Sequence, residues 1–459
     1  MIDEAHAMIE VIKMKQSTMI RLALLVVMSL LLSSCSAIGF LNPSSTSATA
    51  DPTGSTGPDP SPLPEDGDLM ADIVPAAWAA PADTDPELAA SMMRFADELL
   101  LSSLDNDQNV LISPASVFLA LAMTMNGADK ATRDAMIRVL TGAGFTADAI
   151  NNFSRGWIQH LTSSGGKKTA ISIANSIWFR EGFDADPDFL QTNADFFGAG
   201  ARSLDFADPA SLEIINDWVD ANTNGLIRKI IEKINPTTIM YLVNTVYFKS
   251  DWQQPFLWQD TISGNFQTDQ GDVTHDFMNQ TTLFPYFAIS GGQGVVLPYD
   301  NGRYAYVAIL PDAGTDPRAW LSAREPGEIS SQIFAKAAQA ESAVVQLSLP
   351  KYEAAYEDTL NDELMKMGME IAFDGGSADF SLMNQERRTG LYISEVRHKT
   401  TIIVDEEGTE AAAATSVAID ESAMMTEHEL VFNRPFIYTI IDLENGLPLF
   451  TGILDHPAG

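Results

Sequence analysis

Helical spacing of apolar residues concentrates in the first half of the chain. Apolar residues recur every three or four positions at 88–101 and 212–231, which places them on one face of an amphipathic helix. Residues 109–125 begin as an apolar run, turn at Ser113 and Pro114, and continue with helical spacing. These three segments predict helices. In the segment 212–231, we expect the glycine at position 225 to end the first part of the helix.

Strand-like segments become more frequent toward the C-terminus. Residues 170–179 and 240–248 are apolar runs of strand length, and 345–349 shows apolar residues at every second position. Two further runs, 436–443 and 449–454, predict a closing hairpin. Because helices and strands are segregated without regular βαβ alternation, we expect one large α+β domain.

Residues 404–425 interrupt this pattern between two apolar stretches. They contain one glycine, then small residues, then an acidic and finally an uncharged cluster. The β-branched Thr415, Val417 and Ile419 favour an extended conformation. As a strand, the segment has one uncharged face of small residues, which could be added to a sheet without overpacking. That face comprises Thr409, Ala411, Ala413 and Thr415. A surface helix over 410–418 and a low-complexity loop are the alternatives.

Composition narrows the classes of function. The chain has 459 residues, 46% of them hydrophobic, and a net charge of −35, which argues against nucleic acid or anionic lipid as a partner. A single cysteine excludes an intrachain disulfide framework and a cysteine-cluster zinc site. The six histidines are scattered, and no HExxH, GxSxG or Walker motif is present. We therefore expect no cofactor, no metal site and no enzymatic activity.

The N-terminal region has the pattern of a secretory signal. Lys15 and Arg21 precede an apolar run at 22–32, which is too short to span a bilayer well. The following Leu-Ser-Ser-Cys resembles the bacterial lipoprotein processing box, which implies lipid attachment at Cys35; a plain signal peptide is the alternative. Residues 36–85 are rich in Ser, Pro, Gly and Asp and predict a disordered tether.

Short motifs within 86–459 carry a resemblance that covers nearly all of that region. They are NVLISPAS at 109–116, ANSIWF at 174–179, INDWV at 215–219, LVNTVYFK at 242–249 with Trp252 and Phe256, LPK at 349–351, MGM at 367–369, ADFS at 378–381, HK at 398–399, EEGTEAAAAT at 406–415 and RPF at 434–436. No single motif is decisive, but their order and spacing are specific. The chain resembles the serpin family.

The resemblance implies a fold and a function. The fold would have three β-sheets, eight or nine helices and an exposed reactive-centre loop. The function would be suicide-substrate inhibition of an extracellular serine protease by a monomer, through loop cleavage, acyl-enzyme trapping and loop insertion into the central sheet. A non-inhibitory serpin with a binding or structural role is one alternative. A lipid-anchored solute-binding protein or hydrolase is another, but the sequence shows no convergent polar site for it.

The resemblance also implies roles for individual residues. A polar cluster where the strands of the central sheet part would comprise Ser113, Ser116, Asn244 and His398. Loop insertion would begin beside Trp252 and Glu406. The hinge would comprise Glu406, Glu407, Gly408, Thr409, Glu410, Ala411, Ala412, Ala413, Ala414 and Thr415. A satisfied core hydrogen bond is the simpler interpretation of each polar residue in the cluster.

The position of the bait bond depends on the end from which it is counted. Family spacing from Gly408 places the cut after Ser422, whereas counting back from Pro435 places it after Met424. We favour the count from the hinge. The candidates are Glu421, Ser422, Ala423, Met424 and Met425. Because 405–430 contains no Lys or Arg, we expect an elastase-like, chymotrypsin-like or subtilisin-like target instead of a trypsin-like one.

Overall fold

The helices of the chain are concentrated before residue 223. The computed structural model describes residues 67–78, 85–104, 108–142, 144–163, 168–235, 237–409 and 425–457. Its α-helices are α1 (Pro86–Ser102), α2 (Pro114–Met125), α3 (Lys130–Thr141), α4 (Ala147–Ser163), α5 (Pro187–Phe197), α6 (Ala210–Asn222), α7 (Pro317–Ser322), α8 (Glu328–Ala338), α9 (Asn361–Leu364) and α10 (Glu370–Phe373). None of the helices in these residues is long and apolar enough to cross a membrane.

Local sequence explains where several helices begin. Asp85, Ser113 and Asp186 each precede a proline that occupies the first helical position. Their side-chain oxygens accept hydrogen bonds from backbone N–H groups in the first turn, as in Ser113 Oγ from Ser116 N at 3.3 Å. These caps fix the N-termini of α1, α2 and α5. The apolar periodicity predicts the first two of these helices, α1 and α2.

The strands form two hydrogen-bonded sheets. They are β1 (Val110–Ile112), β2 (Thr169–Arg180), β3 (Gly200–Leu204), β4 (Met240–Asp251), β5 (Thr261–Thr268), β6 (Gly271–Ile289), β7 (Gly292–Pro298), β8 (Tyr304–Pro311), β9 (Glu341–Pro350), β10 (Tyr352–Thr359), β11 (Arg397–Val404), β12 (Gly408–Thr409), β13 (His428–Val431), β14 (Phe436–Asp442) and β15 (Pro448–Leu454). One sheet has six strands in the order β10-β11-β12-β4-β2-β3. The other has nine.

The nine-stranded sheet is divided by its longest strand. β6 pairs with β5 and β9 along its first part and with β7 only through its last four residues. The strands β1, β15, β14, β8 and β7 therefore form one group, and β5, β9 and β13 form another. Together with the six-stranded sheet, these groups give the expected three-sheet α+β architecture. The hairpin of β14 and β15 is confirmed, and every residue in both strands is buried.

Part of the predicted tether is packed on the domain. Leu69 N donates to Ala201 O at 3.1 Å and Ser203 N donates to Gly67 O at 2.9 Å, so this segment pairs with β3. The indole Nε1 of Trp78 donates to Asp195 O at 2.7 Å in α5. The prediction that all of 36–85 is an unpacked tether is therefore wrong over 67–78, while 36–66 and 79–84 lie outside the described residues.

The helix predicted over 212–231 is shorter in the structure. It ends at Asn222, because Asn224 and Gly225 have positive φ angles of 51° and 84° that stop helical propagation. The apolar residues that follow still pack inward, with Ile231 only 3% exposed in the small core beneath α6. Apolar spacing alone does not distinguish a helix from an irregular segment that covers the same surface.

Candidate functional site

The six-stranded sheet is held together at its centre by a strand of only two residues. In β12, Gly408 pairs with Asp251 and Thr409 pairs with Ser250 of β4. On its other side, Thr409 pairs with Val404 of β11. In the described part of the chain, β4 and β11 have no pairing with each other. Beyond β12 the two strands therefore border a gap in the sheet.

A tight turn sets the chain into this position. The Oδ1 atom of Asp405 accepts hydrogen bonds from Glu407 N at 2.9 Å and Gly408 N at 3.2 Å. Burial raises the pKa of the Asp405 carboxyl, and these two N–H groups partly offset that rise. Gly408 is required by space, because a Cβ there would lie 2.1 Å from Ser250 O. This close approach explains why the predicted hinge has a glycine at position 408.

Trp252, the residue that follows β4, anchors the same turn. Its indole Nε1 donates to Asp405 O at 2.9 Å, and its backbone N donates to Glu407 O at 2.7 Å. Glu406 accepts hydrogen bonds from Lys351 Nζ at 2.7 Å and from Thr261 Oγ1 at 2.8 Å. Burial alone would raise the pKa of Glu406, but these bonds outweigh it and lower that pKa. The structure thus brings Trp252 and Glu406 together at the head of the gap.

A buried hydroxyl pair fixes the first inserted side chain. Thr409 Oγ1 lies 2.6 Å from the phenol oxygen of Tyr299, and the two residues are 3% and 0% exposed. The Tyr299 ring stacks on Trp252 with centroids 4.8 Å apart. Burial raises the pKa of the Tyr299 phenol, so this group stays protonated at neutral pH. Thr409 therefore faces the core, as the predicted inward face requires.

The far end of the gap holds the predicted polar cluster. His398 Nε2 accepts a hydrogen bond from Ser113 N at 3.1 Å, and Ser116 Oγ donates to Asn244 O at 3.3 Å. Asn244 Nδ2 donates in turn to Asn175 Oδ1 at 2.7 Å. Burial lowers the pKa of His398 to about 4, so its imidazole is neutral at pH 7 and can accept the bond. The structure brings all four predicted residues together.

Two small cavities line the gap between these ends. The one beside the polar cluster is partly open to solvent and lies between Asn244, Thr245 and Thr400. The other is lined by Thr409 and Phe248. Leu226 and Phe450 contact both cavities, from the segment after α6 and from β15 respectively. The gap from β12 to the polar cluster is therefore bordered by two small cavities that share part of their walls.

Sequence reasoning missed Tyr299 and Asn175. Tyr299 lies 110 residues before its partner Thr409, and Asn175 lies 69 residues before Asn244, so no local pattern connects them. The asparagine does occur in the ANSIWF motif, where its place in a buried strand was the available signal. The Tyr299 phenol had no comparable sequence signal.

Most of the predicted bait lies outside the described residues. The bait residues concerned are the hinge from 410 to 415 and the bond candidates from 421 to 424. The predicted lipid attachment site, Cys35, also lies outside the described residues. Met425 is described and is 89% exposed, three residues before β13 begins. In the described part of the chain, no group of His, Cys, Asp or Glu side chains could hold a metal ion.

Comparison with known proteins decides the family. A family model described as serpin (serine protease inhibitor) matches residues 90–457. The chain belongs to the serpin family. This serpin is 36% identical over 371 residues to an uncharacterized serpin-like protein of Thermococcus kodakarensis, covering 79% of this chain and 84% of the relative. It is 29% identical over 385 residues to human leukocyte elastase inhibitor, covering 81% of this chain and 100% of the inhibitor.

Solved structures give the same fold. The thermophilic serpin tengpin in its native state has 35% sequence identity and a TM-score of 0.77, with 85% of this serpin and 99% of tengpin covered. Tengpin in its latent state has 34% identity and a TM-score of 0.71, with 81% and 98% covered. The serpin fold expected from the sequence motifs is thereby confirmed.

Proposed function

We propose that this serpin is a suicide-substrate inhibitor of an extracellular serine protease. The observation that carries the proposal is β12, a two-residue strand that already lies between β4 and β11. The chain after Thr409 can continue in the same direction along the gap without crossing another strand.

The mechanism follows from this geometry and from protease chemistry. The serine of the protease attacks the carbonyl carbon of the bait bond, the C-terminal part of the bait leaves as a free amine, and an acyl ester joins protease and serpin. The freed segment then adds to the sheet and forms hydrogen bonds on both sides, each contributing about 1 kcal/mol net. The attached protease is carried along, its oxyanion hole is distorted, and hydrolysis of the ester stops.

The class of protease follows from the charge of the bait. The segment 405–430 contains no Lys or Arg and includes eight acidic residues, at positions 405, 406, 407, 410, 420, 421, 427 and 429. A trypsin-like pocket contains a carboxylate that binds a cation, so it would exclude this bait. A small or apolar pocket would accept Ser422, Ala423 or Met424 at the cut. We therefore propose an elastase-like, chymotrypsin-like or subtilisin-like target.

Anchoring at the cell envelope completes the proposal. The Leu-Ser-Ser-Cys sequence supports lipid attachment at Cys35, outside the cytoplasmic membrane. A lipid anchor would keep the inhibitor close to the surface where an incoming protease acts. If the box is unused, the chain would be secreted instead.

One experiment tests the inhibitory function directly. The full-length protein, kept in detergent micelles, is mixed with elastase, chymotrypsin, subtilisin and trypsin, and each mixture is run on a denaturing gel. A band at the combined mass of serpin and protease is expected for at least one of the first three enzymes. Cleaved serpin without any such band, for every enzyme, would leave only a non-inhibitory role.

A further inference from the structure

We propose that the peptide bond between Arg388 and Thr389 is a cleavage site for trypsin-like serine proteases, separate from the bait, at which such a protease cuts this serpin without being trapped. The bond lies in the exposed segment 384–396, between the short 3-10 helix Ser381–Met383 and β11. All residues concerned belong to the described part of the chain, and cleavage here does not require loop insertion.

The backbone of this segment is fixed at its two ends and not between them. On one side Asn384 Nδ2 donates to Asp184 O at 3.0 Å, and on the other Ile393 N donates to Ala372 O at 2.9 Å. Between these points, no described residue forms a hydrogen bond with the backbone of 388–392. A Cβ at Gly390 would meet no atom within 4 Å, so there is space for the chain to rearrange. Exposed loops of this kind are preferred sites of limited proteolysis.

Arg388 presents the side chain that a trypsin-like protease selects. Its side chain is 72% exposed, and it pairs with Glu386, whose side chain is 56% exposed. A surface ion pair of this kind contributes little, so the guanidinium remains available to the carboxylate of the protease pocket. Arg387 is held more firmly, because its guanidinium lies 3.0 Å from the buried carboxylate of Asp186. We therefore expect the cut after Arg388 and not after Arg387.

A second irregular segment with basic residues shows what the site requires. Arg228 and Lys229 are exposed in the segment that follows α6. The backbone directly after them is held, because Ile230 N and Ile231 N donate to Asn216 Oδ1 at 2.9 and 3.0 Å. Ile231 is also 3% exposed. A protease would have to break these contacts before it could bind the chain around Lys229, so exposure of a basic side chain is not sufficient.

Cleavage after Arg388 should end in ordinary hydrolysis. The serine oxygen of the protease attacks the carbonyl carbon of Arg388, and the nitrogen of Thr389 takes up a proton and leaves as an amine. Water then hydrolyses the acyl ester to the carboxylate of Arg388. Neither side of the cut is a free segment that could enter a sheet, because Asn384 is bonded to Asp184 and every residue of β11 pairs with β10.

Limited digestion with trypsin tests the site. The full-length protein, kept in detergent micelles, is digested briefly, and the fragments are identified by mass spectrometry. We expect a C-terminal fragment that begins at Thr389 to form well before any fragment that begins at Ile230. The absence of a fragment beginning at Thr389 would refute the proposal. Equal rates for the two fragments would refute it as well, because they would show that trypsin cuts only globally unfolded chains.

Substitutions identify the bond. Arg388→Gln should slow formation of the Thr389 fragment roughly 30-fold or more, because it leaves the carboxylate of the protease pocket unpaired. Arg388→Lys should restore the cut, since lysine also supplies a cation. Arg387→Gln is the matched control and should not slow the cut. An equally fast cut before Thr389 in Arg388→Gln would refute the assignment.

Two further measurements separate this site from the proposed inhibition. A denaturing gel should show no covalent band between trypsin and the fragment that ends at Arg388, and such a band would refute cleavage without trapping. Elastase, chymotrypsin and subtilisin should be inhibited as well by Arg388→Gln as by wild type. If none of these three enzymes formed a covalent complex while trypsin still cut before Thr389, the proposed inhibition would fail and the cleavage site would be supported.

Discussion

Replacing Thr409 by arginine should convert the inhibitor into an ordinary substrate. Thr409 is 3% exposed, and its neighbours Ser250, Val404 and Tyr299 are each at most 1% exposed. None of these neighbours carries an acidic group that could pair with a guanidinium. Burying an unpaired charge costs several kcal/mol, so the arginine must either stay outside the sheet or carry this cost into it. In both cases insertion begins from a less favourable state.

The size of the effect can be estimated from that cost. If about 3 kcal/mol of it is present in the transition state for insertion, insertion slows roughly 150-fold. Hydrolysis of the acyl ester is unaffected, because the protease performs it. Most acylated molecules would then be hydrolysed before they insert, and the serpin would be released in cleaved form.

The assay is a titration of a susceptible protease with the inhibitor. The stoichiometry of inhibition should rise from about one serpin per protease to more than about ten in Thr409→Arg. Glu410→Arg is the matched control, because position 410 belongs to the opposite face of the added strand. An unchanged stoichiometry in Thr409→Arg, together with an undiminished covalent band on the gel, would refute the reasoning.

Four further predictions concern stability, anchoring and the bait bond. Cleavage within 416–425 should raise the melting temperature sharply, and superimposable melting curves before and after nicking would contradict insertion. Because burial lowers the pKa of His398 from 6.5 to about 4, the unfolded state takes up its proton first as the pH falls. The free energy of unfolding should therefore be unaffected by this group above pH 6.5 and should decrease toward pH 4, by roughly 3 kcal/mol at most; denaturant titrations should show a smaller decrease in His398→Gln. Cys35→Ser should move the protein from the membrane to the soluble fraction, and a variant retained in membranes at the wild-type level would argue against lipid attachment. Mass spectrometry of the released C-terminal peptide should place its first residue within 422–426, and rapid inhibition of trypsin alone would overturn the proposed target class.

Local signals in the sequence predicted the elements that local interactions determine. The Ser113-Pro114 pair gave the start of α2, because a cap and a proline act within one turn. The polar cluster was predicted only through motif resemblance, since Ser113 and His398 are 285 residues apart. Tyr299 was missed because it is also far along the chain from its partner Thr409, and none of the recognised motifs includes it. Long-range contacts of single side chains have no periodicity that a sequence pattern could reveal.

The error over 67–78 has a different cause. The abundance of Pro, Gly and Asp in 36–85 favours an unpacked chain on average. Four apolar residues are sufficient to override that average locally, because they contact the hydrophobic core from outside the predicted domain boundary. These residues are Leu69, Met70, Ile73 and Trp78. Composition over fifty residues cannot detect so short a packed segment.

The packed segment 67–78 also protects the protein against association through its sheet. β3 is the last strand of the six-stranded sheet, and an uncovered last strand offers free N–H and C=O groups to the strands of other molecules. Gly67 and Leu69 occupy such groups on Ser203 and Ala201. A recombinant chain that starts at Pro86, the boundary suggested by sequence alone, would uncover this edge. If the central sheet accepts a strand as proposed, a second uncovered edge would add another place for strand addition and favour aggregation. Recombinant chains should therefore begin before Gly67.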